Sequence, residues 1–149
     1  MKTILLVDDE VQILEVLSEI LTRFGYQVIP RPDARTALAV IQEGTTVHLV
    51  ITDYRMPGMN GAEFITILRT LRPSIPVIML TGFSSVELYL QSLSLGVFDH
   101  LNKPIKIHDL LRVVNAALER EVKSHPLALE DSMNQPDRTY SSDTTKLPG

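Results

Sequence analysis

The chain has no cysteine among its 149 residues and no long hydrophobic run. Without cysteine, disulfide bonds, thiolate metal sites and cysteine nucleophiles are excluded. No apolar run reaches the ~18 residues that a membrane span requires. The opening MKTILLVDDE turns acidic after a short apolar run, too early for the core of a signal peptide. We therefore expect a cytoplasmic protein that does not enter a membrane.

A basic patch is also missing from the sequence. The formal net charge is −4, with 14 Lys and Arg against 18 Asp and Glu. Contacts with nucleic-acid phosphates need clustered Lys and Arg, so we expect no direct nucleic-acid binding. The hydrophobic share of 44% and the charged share of 21% are typical of a soluble globular protein. A chain of this length is enough for one ordinary domain with a single core.

Short apolar runs alternate with apolar residues at helical spacing. The runs predict strands over 3–7, 26–29, 47–52, 76–80 and 97–101. The helical spacing that follows each run predicts helices within 11–24, 34–41, 64–71, 86–93 and 107–118. Strand followed by helix, five times over, predicts an α/β fold with a parallel sheet and helices on both faces. In such sheets ligands bind beyond the carboxyl ends of the strands.

The composition changes near Lys123. Residues 124–149 contain ten Ser, Thr or Pro residues and only scattered apolar residues. Such a segment cannot bury enough apolar surface to offset the entropy that ordering costs. We therefore predict a single domain over 1–123 and a disordered tail or linker over 124–149.

Polar residues follow four of the predicted strands. They are Asp8, Asp9 and Glu10 after the first strand, Asp53 after the third, Thr81 after the fourth and Lys103 after the fifth. Taken singly, an Asp could cap the next helix, the Thr could be an ordinary strand end and the Lys could be a solvated surface residue. Taken together, they would lie on one edge of a parallel sheet, and four coincidences are harder to accept than one site.

The chemistry of this group favours phosphoryl transfer. Clustered carboxylates raise one another's pKa unless a cation compensates, and one Lys cannot balance three of them. Mg²⁺ takes carboxylate, water and phosphate oxygens, whereas zinc would call for His or Cys ligands. Mg²⁺, an ammonium and a hydroxyl stabilise charge on phosphoryl oxygens. Aspartate can itself accept a phosphoryl group.

The sequence closely resembles the receiver domains of two-component response regulators. Four motifs carry the resemblance, which extends over roughly residues 2–121: LLVDDE, VITDYRMPGMNG, VIMLTG and LNKP. The resemblance implies a doubly wound, flavodoxin-like fold with a five-stranded parallel sheet in the order 2-1-3-4-5 and five flanking helices.

The resemblance also implies roles for individual residues in phosphoryl transfer. Asp53 matches the phosphoacceptor, Thr81 the hydroxyl that switches toward the phosphoryl group, and Lys103 the lysine that pairs with it. The bond between Lys103 and Pro104 is then expected to be cis.

The same resemblance implies a Mg²⁺ site. Asp8 and Asp9 match the acidic pair of that site, with Asp9 favoured as the direct ligand. Asp53 and the backbone carbonyl of Arg55 are expected to complete the protein ligands.

Three positions bear on how the switch is tuned. The family's switch aromatic, usually Tyr or Phe, is His100 here, and its ring could either fill space or sense pH. Arg55 and Phe83 each lie two residues beyond a site residue, where the family tunes access of water to the acyl phosphate. A shielding Phe83 leads to the hypothesis of slow self-dephosphorylation.

The resemblance implies a signalling role in which a histidine kinase or phosphotransfer protein donates the phosphoryl group. Phosphorylation would switch the surface of helix four, strand five and helix five, where VELYLQSLSLG could contact a partner or a second copy. A downstream partner or a missing output domain would respond. The domain would then be no enzyme beyond its own phosphorylation and dephosphorylation.

Two alternatives remain open. One is a Mg²⁺-dependent phosphatase with an aspartyl-phosphate intermediate. Such enzymes usually carry D-x-D on strand one, but here Glu10 follows Asp8 two residues later, and no inserted cap segment is seen. The other is a degenerate receiver that only binds partners, which the intact set of site residues argues against.

Overall fold

The computed structural model describes residues 1–82 and 86–122, without the side chains of Val86 and of residues 120–122. Phe83, the expected boundary at residue 123 and the predicted tail over 124–149 lie outside the described residues. Among the helices that are described, none combines the length and the apolar character that crossing a bilayer requires.

The described residues form five parallel strands and five helices in strict alternation. The strands are β1 (Thr3–Val7), β2 (Gln27–Arg31), β3 (Leu49–Asp53), β4 (Val77–Thr81) and β5 (Asp99–Asn102). The helices are α1 (Val11–Arg23), α2 (Ala34–Gln42), α3 (Gly61–Leu71), α4 (Val86–Ser94) and α5 (Ile107–Val122). The strand order is β2-β1-β3-β4-β5, so the predicted α/β fold and strand order are confirmed.

Two cores lie on opposite faces of the sheet. Every residue of β1, β3 and β4 is buried, because alternate side chains enter opposite cores. Ile4 and Leu6 pack with α1 and α5, whereas Leu5 and Val7 pack with α2 and α3. This two-sided burial explains why the central strands are continuous apolar runs rather than alternating ones.

The edge strand β2 differs from its prediction at its carboxyl end. The predicted strand stopped at residue 29, but the observed strand continues through Pro30 to Arg31. The N–H of Gln27 donates to Lys2 O and the N–H of Asp8 to Arg31 O, which turns Gln27 and Arg31 toward β1. By alternation, Pro30 faces away from β1, where the sheet requires no N–H donor.

Strands β3 and β5 start later than predicted. β3 begins at Leu49 rather than at residue 47, and it extends to Asp53, which is aligned with Leu80 of β4. β5 begins at Asp99 rather than at residue 97, because the N–H of Val97 donates to Ser92 O and closes the end of α4. Asp53 is therefore the last residue of a central strand.

The helix α4 is present as predicted, but its apolar spacing is not its buried face. Leu90 and Leu93 are 57% and 54% exposed, and Tyr89 is 48% exposed. Among the side chains that are described in this helix, over 87–94, Ser92 is instead the buried one. The i, i+3 spacing of leucines thus identified a helix correctly, but it marks the exposed face of that helix.

Arg69 of α3 connects the α3–β4 turn to the turn between α4 and β5. Its guanidinium donates to the backbone oxygens of Gly96 at 2.8 Å and of Leu95 at 3.4 Å, at the end of α4. It also donates to the backbone oxygens of Ile75 and Pro73, in the α3–β4 turn. A cation at these carbonyls complements the negative end of the α4 dipole.

Candidate functional site

Asp53 ends β3 at the carboxyl edge of the sheet and is only 4% exposed. The next residue, Tyr54, donates its N–H to Leu80 O at 2.9 Å and accepts from the N–H of Gly61 at 2.7 Å. The α3 N-terminus is fixed beside it, since Asn60 and Glu63 form a capping box. These bonds hold Asp53 on a rigid support between β4 and α3.

Lys103 follows β5 and brings its ammonium to the same edge. Its N–H donates to Thr81 O at 2.8 Å, and its bond to Pro104 is cis, as the resemblance implied. Nζ lies 3.1 Å from Asp53 Oδ2, 3.1 Å from Glu10 Oε1 and 3.1 Å from Asp8 Oδ2. One cation therefore faces three carboxylates.

The contacts of Lys103 are not equivalent. Nζ donates hydrogen bonds to Glu10 and Asp53. Asp8 Oδ1 accepts from the N–H of Glu10 at 2.9 Å, but Asp8 Oδ2 is buried and has no hydrogen-bond donor, so its contact with Nζ is an ion pair outside hydrogen-bonding geometry. A buried carboxylate oxygen without a donor is suited to a bound cation.

The pKa values follow from this excess of negative charge. Burial, and then the charge of Asp8, raise the pKa of Asp53 to about 6, although Lys103 acts in the opposite direction. Burial also raises the pKa of Asp8. For Lys103, burial lowers the pKa, but hydrogen bonds to Glu10 and Asp53 outweigh it and hold the pKa above its usual range. The three carboxylates therefore carry more negative charge than the single ammonium balances.

Glu10 belongs to the cluster, whereas Asp9 does not. Carboxylate oxygens of Asp8, Glu10 and Asp53 all lie within 4.8 Å of one another. Asp9 is exposed and lies beside an open depression of about 460 Å³. The chain bends at Asp9, so the direction of the Glu10 side chain follows from the turn, and no sequence period identifies it.

The other predicted residues are placed as follows. Thr81 is buried at the carboxyl end of β4. Arg55 is exposed and lines the same depression as Asp9. The His100 ring is partly buried and packs edge-on against Tyr89, with 5.4 Å between ring centroids. His100 thus contacts the exposed face of α4.

The acidic cluster is compatible with Mg²⁺. Its donors are carboxylate oxygens, the hard ligands that Mg²⁺ prefers, and no Cys exists in the chain to favour a softer metal. A divalent cation would also neutralise the charge that a single ammonium leaves unbalanced.

Comparison with known proteins assigns the family. The family model described as the response regulator receiver domain matches residues 4–115 of this chain. The response regulator FleR of Pseudomonas aeruginosa is 32% identical over 152 residues, which cover 97% of this chain and 32% of FleR. The transcriptional regulatory protein ZraR of Escherichia coli is 35% identical over 115 residues, which cover 77% of this chain and 26% of ZraR. This chain thus spans about a quarter to a third of these relatives' length.

The fold matches solved structures of the same family. The crystal structure of a response regulator receiver domain protein from Clostridium thermocellum has a TM-score of 0.79 and 28% identity, covering 84% of this chain and 100% of that chain. None of these matches supports the phosphatase alternative. This chain belongs to the response regulator receiver domain family.

Proposed function

We propose that the domain accepts a phosphoryl group on Asp53 from a histidine kinase or a phosphotransfer protein. One observation carries the proposal: the buried Asp53 carboxylate lies 3.1 Å from Lys103 Nζ and shares an acidic cluster with Asp8 and Glu10. A structural ion pair would need one carboxylate. Three carboxylates around one ammonium suit a site that takes up further positive charge.

The transfer is a displacement at phosphorus. An oxygen of ionised Asp53 forms a bond to phosphorus while the bond from phosphorus to the donor's histidine nitrogen breaks, and that nitrogen leaves with the electron pair. Lys103 pairs with a phosphoryl oxygen and offsets its charge. β3 keeps the nucleophile fixed, which reduces the entropy cost of alignment.

Mg²⁺ fits this site as the cofactor. Asp8 and Asp53 would hold it, with Asp9 and the Arg55 backbone carbonyl as the further ligands that the family resemblance implies. Bound Mg²⁺ would neutralise charge on the phosphoryl oxygens during transfer. The buried Asp8 Oδ2, which has no hydrogen-bond donor, supports this assignment.

Phosphorylation would act on the surface that includes α4 and β5. Thr81 ends β4 near the acceptor, and His100 packs on Tyr89 of α4. A phosphoryl group adds charge and acceptor oxygens that Thr81 can approach, and a shift there would bias α4 between two positions. The exposed face of Tyr89, Leu90 and Leu93 is the surface offered to a partner or to a second copy.

The output lies with a partner or a further domain. ZraR is named a transcriptional regulatory protein, and this chain matches 26% of it. We infer that this receiver controls such an output without contacting nucleic acid itself. We place it in the cytoplasm, where a kinase can reach it. Its only chemistry would be its own phosphorylation and dephosphorylation.

Incubation with acetyl phosphate and Mg²⁺ tests the proposal. Wild-type protein should gain the mass of one phosphoryl group, and Asp53→Asn should not. Size-exclusion chromatography before and after the reaction reports whether a dimer forms. Equal phosphorylation of both proteins would overturn the role of Asp53, and multiple turnovers on a chromogenic phosphate ester would restore the phosphatase alternative.

A further inference from the structure

Glu10 has an arrangement that the proposed function leaves unexplained. It is the third carboxylate on Lys103 Nζ, but it differs from the other two in exposure. Its side chain is 60% exposed, whereas that of Asp8 is fully buried and that of Asp53 is 6% exposed. Glu10 therefore closes the cluster on the solvent side, where a phosphodonor approaches.

Three carboxylate oxygens surround the ammonium of Lys103 at 3.1 Å. Glu10 Oε1 and Asp53 Oδ2 accept its hydrogen bonds, and Asp8 Oδ2 forms an ion pair outside hydrogen-bonding geometry. A phosphoryl oxygen that pairs with Lys103 before transfer must therefore compete with these oxygens for the space and the charge around Nζ. At that moment the Asp53 carboxylate is still ionised, since it is the nucleophile.

Withdrawal costs least for Glu10. Asp8 and Asp53 are buried and would stay in the site as Mg²⁺ ligands, so neither carboxylate can turn into water to make room. Glu10 can be rehydrated on release, because an exposed ion pair contributes little to stability. The N-terminal end of α1 moves little in the exchange, since the Glu10 N–H keeps its bond to Asp8 Oδ1.

We propose that Glu10 gates the phosphoacceptor site: its carboxylate occupies Lys103 at rest, and an incoming phosphoryl group displaces it. The inference rests on the proposed function. Glu10 is a positioning residue that acts through Lys103, and its charge also repels anionic donors. Its removal should speed phosphorylation rather than slow it.

The experiment compares rates of phosphorylation by acetyl phosphate at saturating Mg²⁺, with saturation set for each variant by calorimetric titration. Glu10→Gln removes the charge but keeps the shape, and we expect a rate about two- to fivefold above wild type, the range of an exposed ion pair. This gain should shrink as ionic strength rises to about 0.5 M, where the Debye length falls to about 4 Å. A merely structural role would not give this salt dependence.

Three further variants complete the test. Glu10→Asp keeps the charge and should stay within about twofold of wild type. Glu15→Gln makes the same charge change on the exposed side of α1 and should leave the rate unchanged. A Glu10→Gln rate at or below wild type, or an equal gain in Glu15→Gln, overturns the inference. Phosphorylation of Asp53→Asn would instead overturn the proposed function.

Discussion

The hydroxyl of Tyr54 donates a hydrogen bond to Gln91 Oε1 at 3.2 Å and so joins the residue after Asp53 to α4. Tyr54 is also bound to β4 and α3 through its backbone. These bonds connect Asp53 to α4 by a route that does not involve His100.

Tyr54→Phe should loosen α4 without blocking phosphorylation. The change removes one hydroxyl, so the free energy of unfolding should fall by no more than about 1 kcal/mol. Hydrogen exchange in α4 should rise in the resting protein, and the difference between resting and phosphorylated protein should shrink. Tyr26→Phe is the matched control. Unchanged exchange in α4 would show that the bond transmits nothing.

The pH dependence of stability should report Asp53. Its pKa in the folded protein, about 6, is above the usual 3.8, so the folded protein binds this proton more tightly than the unfolded chain. The protonated Asp53 therefore stabilises the folded protein at pH 4. As pH rises to about 6 and above, this contribution is lost, and the free energy of unfolding falls by about 3 kcal/mol. Urea unfolding with a chelator present measures this loss, and Asp53→Asn should show a smaller one. Parallel curves for the two proteins would contradict the assignment.

Gly61→Ala should disturb the site through its backbone. A Cβ there would lie 2.5 Å from Asp53 O and 2.9 Å from Tyr54 Cα, and neither backbone atom can move away freely. We expect a loss of about 1–3 kcal/mol in unfolding free energy, as for other overpacked sites, together with slower phosphorylation. A Cβ at Gly82 would meet nothing within 4 Å, so Gly82→Ala is the control for stability. Similar unfolding free energies for the two variants would contradict the close approach of Gly61 to the backbone of Asp53 and Tyr54.

Arg69→Met should release the carboxyl end of α4. The variant keeps the aliphatic stem but loses the hydrogen bonds to Leu95, Gly96 and the α3–β4 turn. Thermal unfolding should show that the free energy of unfolding falls by about 1–3 kcal/mol, and amide hydrogen exchange should become faster at residues 95–97. Arg23→Gln breaks only an exposed pair with Glu19 and should change stability by less than about 0.5 kcal/mol. Equal effects of both changes would show that the Arg69 bonds contribute nothing.

The sequence predicted the features that depend on local pattern. Buried apolar runs identified the strands, and the convergence of strand ends placed Asp8, Asp53 and Lys103 together, as the structure shows. The direction of a side chain in a turn follows from the backbone angles of that turn. The sequence pattern therefore did not predict that Glu10, and not Asp9, belongs to the cluster. The bonds of Arg69 join residues distant in sequence, and they leave no periodic signal.

Pro30 has a consequence for how copies of this protein can associate. It faces outward on the edge strand β2 and has no N–H to donate. A strand of a second molecule that paired with this edge would lack one backbone hydrogen bond at Pro30, which discourages extension of the sheet from one molecule to the next. Self-association of this domain should therefore not add a strand at the β2 edge of the sheet.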